Sequence, residues 1–143
     1  MDIEFPRYPC EVISLDLDDL IGSHHPNLGS LEKWRLDKEG QYLDSRGYEL
    51  MRETNPKKQL DAVRDAFKNG HGCRMVGSFT VKEVPGNFHI SCHAYLNHYM
   101  QMMTEGLTDK IDMSHKIHSL YFGSEHHLKS LQRQHPEAKL HLL

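Results

Sequence analysis

Along Cys10–Asp18 the residues fall into two alternating sets, Val12, Ser14, Asp16 and Asp18 against Glu11, Ile13, Leu15 and Leu17. The second set is mostly apolar, the pattern of a half-buried strand. Cys73–Val84 alternates in the same way, with Phe79, Val81 and Glu83 on one side and Ser78, Thr80 and Lys82 on the other. Gly77 lies inside that run and predicts a bend or bulge. Pro85-Gly86-Asn87 is a strong turn signal, after which Phe88–Ala94 predicts an antiparallel return strand. Phe88, Ile90, Cys92 and Ala94 then share one face of it. Ile117–Phe122 predicts a further strand. Leu31–Leu36 and Gln41–Leu43 suggest a short hairpin across Lys38-Glu39-Gly40, and Ser23–Gly29 a loop.

The helical period occurs once with clear boundaries. Asn55 can cap, Pro56 stands at the first helical position and Gln59 follows a turn later. Leu60, Val63 and Phe67 then fall at helical spacing, and Asn69-Gly70 closes the segment. This helix reads as an excursion from a β scaffold. Tyr95–Thr104 fits either a short helix or a packed loop. Glu125–Leu143 has helical spacing around Leu128 and Leu131 but is interrupted by Pro136. Short alternating strands separated by glycine and proline turns predict a mainly β chain: an antiparallel β-sandwich with one or two short helices.

Composition narrows the function classes. The chain has 143 residues, the size of one domain, with 38% hydrophobic and 26% charged residues. No apolar run approaches the ~18–20 residues of a membrane helix, and the first ten residues lack the layout of a signal peptide. A net charge of −3, with basic and acidic residues interspersed, gives no electrostatic reason to expect nucleic acid. Twelve histidines are the compositional anomaly, and three cysteines are an odd number.

Two ordered blocks carry a family resemblance. The first is Asp2-Ile3-Glu4-Phe5-Pro6, then Pro9-Cys10-Glu11-Val12-Ile13-Ser14-Leu15-Asp16-Leu17-Asp18-Asp19, followed by Trp34-Arg35-Leu36-Asp37 and Gly40. The second is Gly72-Cys73, Gly77, Val81, Pro85-Gly86-Asn87-Phe88-His89 and Met113-Ser114-His115, ending in Leu120-Tyr121-Phe122-Gly123. Together they resemble the luminal domain of the ERV/ERGIC family, membrane proteins that cycle in coated vesicles between the endoplasmic reticulum and the early Golgi. By this resemblance, residues 1–123 form the N-terminal portion of a luminal β domain, and 124–143 a weakly matched continuation or tail. Family members carry a membrane span at each end of that domain, so this chain reads as a piece lacking both. Some members also carry a CxxC-containing cysteine cluster between the two blocks, whereas Gln41–Gly70 here has no cysteine.

The resemblance implies a luminal setting in the endoplasmic reticulum, the intermediate compartment and the cis-Golgi. That setting permits oxidation. The family's cysteine positions imply a Cys10–Cys73 disulfide, closing a loop worth about 4 kcal/mol in the chain-entropy model; two buried thiols are the alternative. Cys92 is left over and reads as a packed free thiol. The implied role is non-enzymatic cargo recognition or receptor assembly, with luminal cargo proteins and a paralogous family member as partners in a hetero-oligomer. Candidate contact residues are Pro85, Gly86, Asn87, Phe88, Tyr95 and Tyr99.

The histidines suggest how such a module senses its compartment. A drop from about pH 7.2 to about pH 6 protonates roughly half of an exposed histidine population, adding about six positive charges to twelve groups. Candidate sensors are His89, His93, His115, His118, His126 and His127, against the alternative that most histidines are ordinary surface residues. Zinc is the competing use. On a strand His89 and His93 share a face but stand ~13 Å apart, too far to hold one ion, and no CxxC or helical HxxxH completes a ligand set. Asp16, Asp18 and Asp19 lack the glycine and final glutamate of a calcium loop. Asp112, Ser114 and His115 lack an oxyanion signature, and no thioredoxin pattern occurs. The expectation is therefore no catalytic residue, metal or cofactor. A structural spacer, a sandwich holding flanking domains such as a thioredoxin-like oxidoreductase, is the other reading.

Overall fold

In a computed structural model of the chain, residues 1–19, 31–44, 55–79 and 86–137 are described. The main sheet has four antiparallel strands in the order β3-β4-β1-β6: β1 (Asp2–Phe5), β3 (Glu32–Leu36), β4 (Gly72–Val76) and β6 (Lys116–Ser119). A second sheet pairs β2 (Ser14–Asp19) with β5 (Gly86–Ser91), also antiparallel. The result is a mainly β fold of two antiparallel sheets, completed by helices α1 (Pro56–Asn69), α2 (Leu96–Thr104) and α3 (Glu125–Gln134).

One core joins these elements. β1 and β4 turn Ile3, Phe5, Cys73 and Met75 inwards, β2 and its approach supply Val12, Ile13 and Leu15, and the helices add Val63, Phe67 and Met102. The other face of the main sheet is polar. There Arg74 grips Asp2 through two hydrogen bonds of 2.8 and 2.7 Å. Gly72 is packed so closely against β1 that a Cβ would lie 2.6 Å from the Phe5 carbonyl oxygen, so no larger residue fits without a backbone shift.

Several sequence expectations need correction. β1, only four residues long, sits between two other strands of the main sheet and was not among the expected strands, although Ile3 and Phe5 alternate with Asp2 and Glu4. Cys10 does not head a strand: Val12 N–H bonds to the Pro9 carbonyl in a turn, and β2 begins only at Ser14. β4 stops at Val76, and Gly77 exchanges backbone hydrogen bonds with Met1 in place of forming a bulge. The ladder irregularity lies instead between β1 and β6, where Asp2 and Ile3 oppose Ser119 and Ile117 and His118 is the extra residue. Among the described residues β5 pairs with β2 and not with the preceding strand. Residues 80–85, which include Pro85 of the expected turn, lie outside the described set, and Gly86 and Asn87 already belong to β5. The Ser23–Gly29 loop also lies outside it.

α1 has the expected boundaries. The Asn55 side chain accepts from Lys57 and Lys58 N–H, and Gly70 closes the helix in the left-handed region at φ 66°. It is not an excursion, because Val63, Ala66 and Phe67 are fully part of the buried interior. The Leu31–Leu43 hairpin is present, with β3 bridged at Leu36 to Tyr42 and the Asp37 side chain accepting from Glu39 and Gln41 N–H.

Candidate functional site

The β2–β5 register places Asp16 directly opposite His89 and Ser14 opposite Ser91. Side chains two apart share a face, so all four project from one side of this small sheet, while Leu15, Phe88 and Ile90 pack on the core from the other. His93 reaches the same polar face by a different route. β5 ends at Ser91, and a 3-10 turn over His93–Tyr95 reverses the direction of the chain. The rings of His89 and His93 therefore lie 5.6 Å apart between centroids. This corrects the expectation of ~13 Å, which assumed a strand continuing to Ala94.

Both imidazoles face one carboxylate. His93 Nδ1 is 3.3 Å and His89 Nε2 3.8 Å from Asp16 Oδ2. The Ser91 hydroxyl donates to the same oxygen, and the Ser91 Oγ in turn accepts from His93 N–H at 3.1 Å. Asn87 Oδ1, which can only accept, lies 3.3 Å from His89 Nδ1. With its proton on Nδ1, His89 would turn Nε2 towards Asp16. Cys92, between these residues, packs against the core, apart from the cluster.

The remaining candidates are dispersed. His118 Nε2 lies 2.8 Å from Glu4 Oε2 on the polar face of the main sheet. His115 stacks at 5.6 Å on Phe5, and His126 and His127 stand side by side in the first turn of α3. Phe88 is half-buried between Phe79 and Phe122. Tyr95 and Tyr99 also pack against the core. The exposed face of α2 is built instead from Leu96, Met100 and Met103, each about half-exposed, at helical spacing.

Sequence reading missed Glu11. Its carboxylate is fully buried, neither oxygen has a hydrogen-bond partner among the described residues, and Arg35 Nη1 stands 3.5 Å from Oε1. Burial pushes its pKa up to about 7, against the pull of Arg35. Lys33 is half-buried nearby, donating to the Ile13 and Cys10 carbonyls, and desolvation brings it down to about 8. An acidic residue on an otherwise apolar strand face was the available signal. Beside it Cys10 and Cys73 are joined by a disulfide, with Cα atoms 4.8 Å apart and no exposure to solvent.

The endoplasmic reticulum vesicle transporter profile matches residues 51–141. The chain is 27% identical over 143 residues to endoplasmic reticulum-Golgi intermediate compartment protein 1 of Danio rerio, covering 100% of this chain and 34% of that protein. It is 27% identical over 124 residues to the protein of the same name from Xenopus laevis, covering 87% of this chain and 29% of that protein. The chain thus spans about a third of the length of these relatives. No solved structure matches it.

Proposed function

The chain belongs to the endoplasmic reticulum vesicle transporter family, and from that premise we propose that it is a luminal recognition and assembly module. It would be a non-enzymatic part of a vesicle membrane protein that cycles through the endoplasmic reticulum, the intermediate compartment and the cis-Golgi. The observation that carries this reading is the outer face of α2. Leu96, Met100 and Met103 form an apolar stripe in solvent, on a helix whose opposite side already contributes Met102 to the core. A helix apolar on both sides buries its second face against something. Flexible methionines suit a protein surface that repacks on contact. The occupant we assign is a paralogous member of the same family, in a hetero-oligomer that captures luminal cargo.

The dependence on compartment pH is assigned to histidines away from Asp16. His118 is the best placed of them, set against Glu4 on β1. The other charged groups around it are Lys116 on its own strand and Arg74 opposite Glu4 on β4, the latter committed to Asp2. A proton gained at His118 completes an ion pair with Glu4, and protons at His115, His126 and His127 add positive charge to the surface.

The test is co-purification of the full-length protein with a co-expressed paralogue, followed by capture of luminal proteins at about pH 6.0 and about pH 7.2. The wild type should hold the paralogue at both pH values and cargo mainly at the lower. Met100→Glu with Met103→Glu should reduce paralogue recovery at least tenfold. Undiminished recovery of the paralogue by that variant would sink the reading, and a wild type holding neither partner would favour a structural spacer.

A further inference from the structure

We propose that Asp16, His89 and His93 form a binding site for a divalent transition-metal ion, zinc foremost, at the exposed edge of the β2–β5 sheet. Each residue offers one ligand atom, and the three atoms lie within 4.8 Å of one another. Two imidazole nitrogens and a carboxylate oxygen are the donors zinc accepts, whereas calcium and magnesium require an oxygen cage. Zinc bonds of about 2.0–2.2 Å place tetrahedral ligand atoms about 3.3 Å apart. The His93–Asp16 separation is already 3.3 Å, and His89 Nε2, at 3.8 Å from the same oxygen, closes the difference by a small rotation.

The surroundings are those of a metal site rather than of three surface residues. Asn87 Oδ1, 3.3 Å from His89 Nδ1, is placed to accept a proton from it and so to leave Nε2 as the ligand atom, the role of an acceptor behind a metal-bound histidine. Ser91 fixes the Asp16 carboxylate by donating to it and steadies the His93 backbone. The side chains are 26% exposed at Asp16, 39% at His89 and 67% at His93, so an ion reaches them from solvent. Three protein ligands leave a coordination position for water or for a ligand from a second molecule. A bound ion would pin both strands of the small sheet to the turn that leads into α2.

Zinc is titrated into the metal-free full chain by isothermal titration calorimetry, with cobalt absorption as a second readout. One ion should bind per chain. His89→Ala and His93→Ala should each weaken binding at least tenfold, and Ser91→Ala by a smaller factor. His126→Ala with His127→Ala should leave this affinity unchanged, which separates the site from the other histidines. Long-range imidazole nitrogen NMR on the wild type gives an answer that needs no variant: zinc should shift His89 Nε2 and His93 Nδ1. Absence of binding, binding indifferent to His93→Ala, or imidazole shifts confined to other histidines would each overturn the proposal.

Discussion

Four residues separate Glu11 from Asp16, and the two carboxylates have opposite fates. Glu11 is sealed beside the Cys10–Cys73 disulfide with no hydrogen-bond partner among the described residues, and burial pushes its pKa up to about 7. Asp16 is partly exposed and surrounded by Ser14, Ser91, His89 and His93, all within contact of one oxygen. The first region closes the fold around β1 and β4; the second places polar side chains on a small sheet whose other face is already satisfied by the core. The difference is one of register. From Ser14 onwards β2 pairs regularly, so alternate residues face outwards and are free to serve chemistry. Before Ser14 the chain is an irregular turn between the sheets, and Glu11, Val12 and Ile13 are all buried together. Stability and candidate chemistry are therefore held by adjoining stretches, and changes in one should leave the other nearly untouched.

The largest effect belongs to the closed region. The disulfide spans a sequence separation of 63 residues. Constraining a loop of that length removes unfolded-state entropy worth about 4 kcal/mol. Cys10→Ser with Cys73→Ser should lower the stability measured in urea by about that amount. A loss under about 1 kcal/mol would mean that packing of Met75, Val63 and Phe67 holds this region without the crosslink.

Glu11 should show itself through pH. Its carboxyl binds a proton more tightly in the folded chain than in the unfolded one, where the ordinary value is 4.5. The folded state is therefore favoured by this group below about pH 4.5 and loses that advantage as pH rises to about 7. The size of the loss is on the order of 3 kcal/mol. Glu105 and Asp112, held low by Arg64 and by Ser114 respectively, work in the opposite direction and at more acid pH. The profile of wild type minus Glu11→Gln isolates the buried group. That difference should fall between about pH 4.5 and about pH 7, and a flat difference would place the titration elsewhere. Lys33, brought down to about 8, bears on the profile only at more alkaline pH.

How much of this was legible in the sequence depends on whether a signal was local. α1 was, because Asn55, Pro56 and Gly70 each act on their own turn of backbone. The sandwich class followed from strand periodicity and from the resemblance, which also supplied the cysteine pairing. Strand partners were not legible: β5 pairs with β2 far along the chain, from Ser14 opposite Ser91 to Asp19 opposite Gly86, and nothing in either run names the other. The Asp16 cluster was missed for the same reason and for a second. The chain leaves its strand at Cys92 without a glycine or proline, so His93 was read as extended when it turns back. Glu11 carried a visible signal, an acid on an apolar face, but its burial depends on a turn stabilised from distant Lys33 and Arg35.

The smallest effect is the sharpest test of the division between the two regions. His93 is two-thirds exposed and sits on a short turn. Its ring meets Asp16 in solvent, where such pairs contribute about 0–1 kcal/mol. The backbone bond from its N–H to Ser91 survives replacement by alanine. In metal-free buffer His93→Ala should therefore change stability by less than about 0.5 kcal/mol, the range of ordinary surface substitutions. With zinc present the wild type should gain stability, because an ion that binds only the folded chain shifts unfolding by mass action, and the variant should not. A destabilisation above about 1 kcal/mol without metal would show that the turn before α2 is part of the closed region. The polar edge would then be a structural clasp between the two sheets.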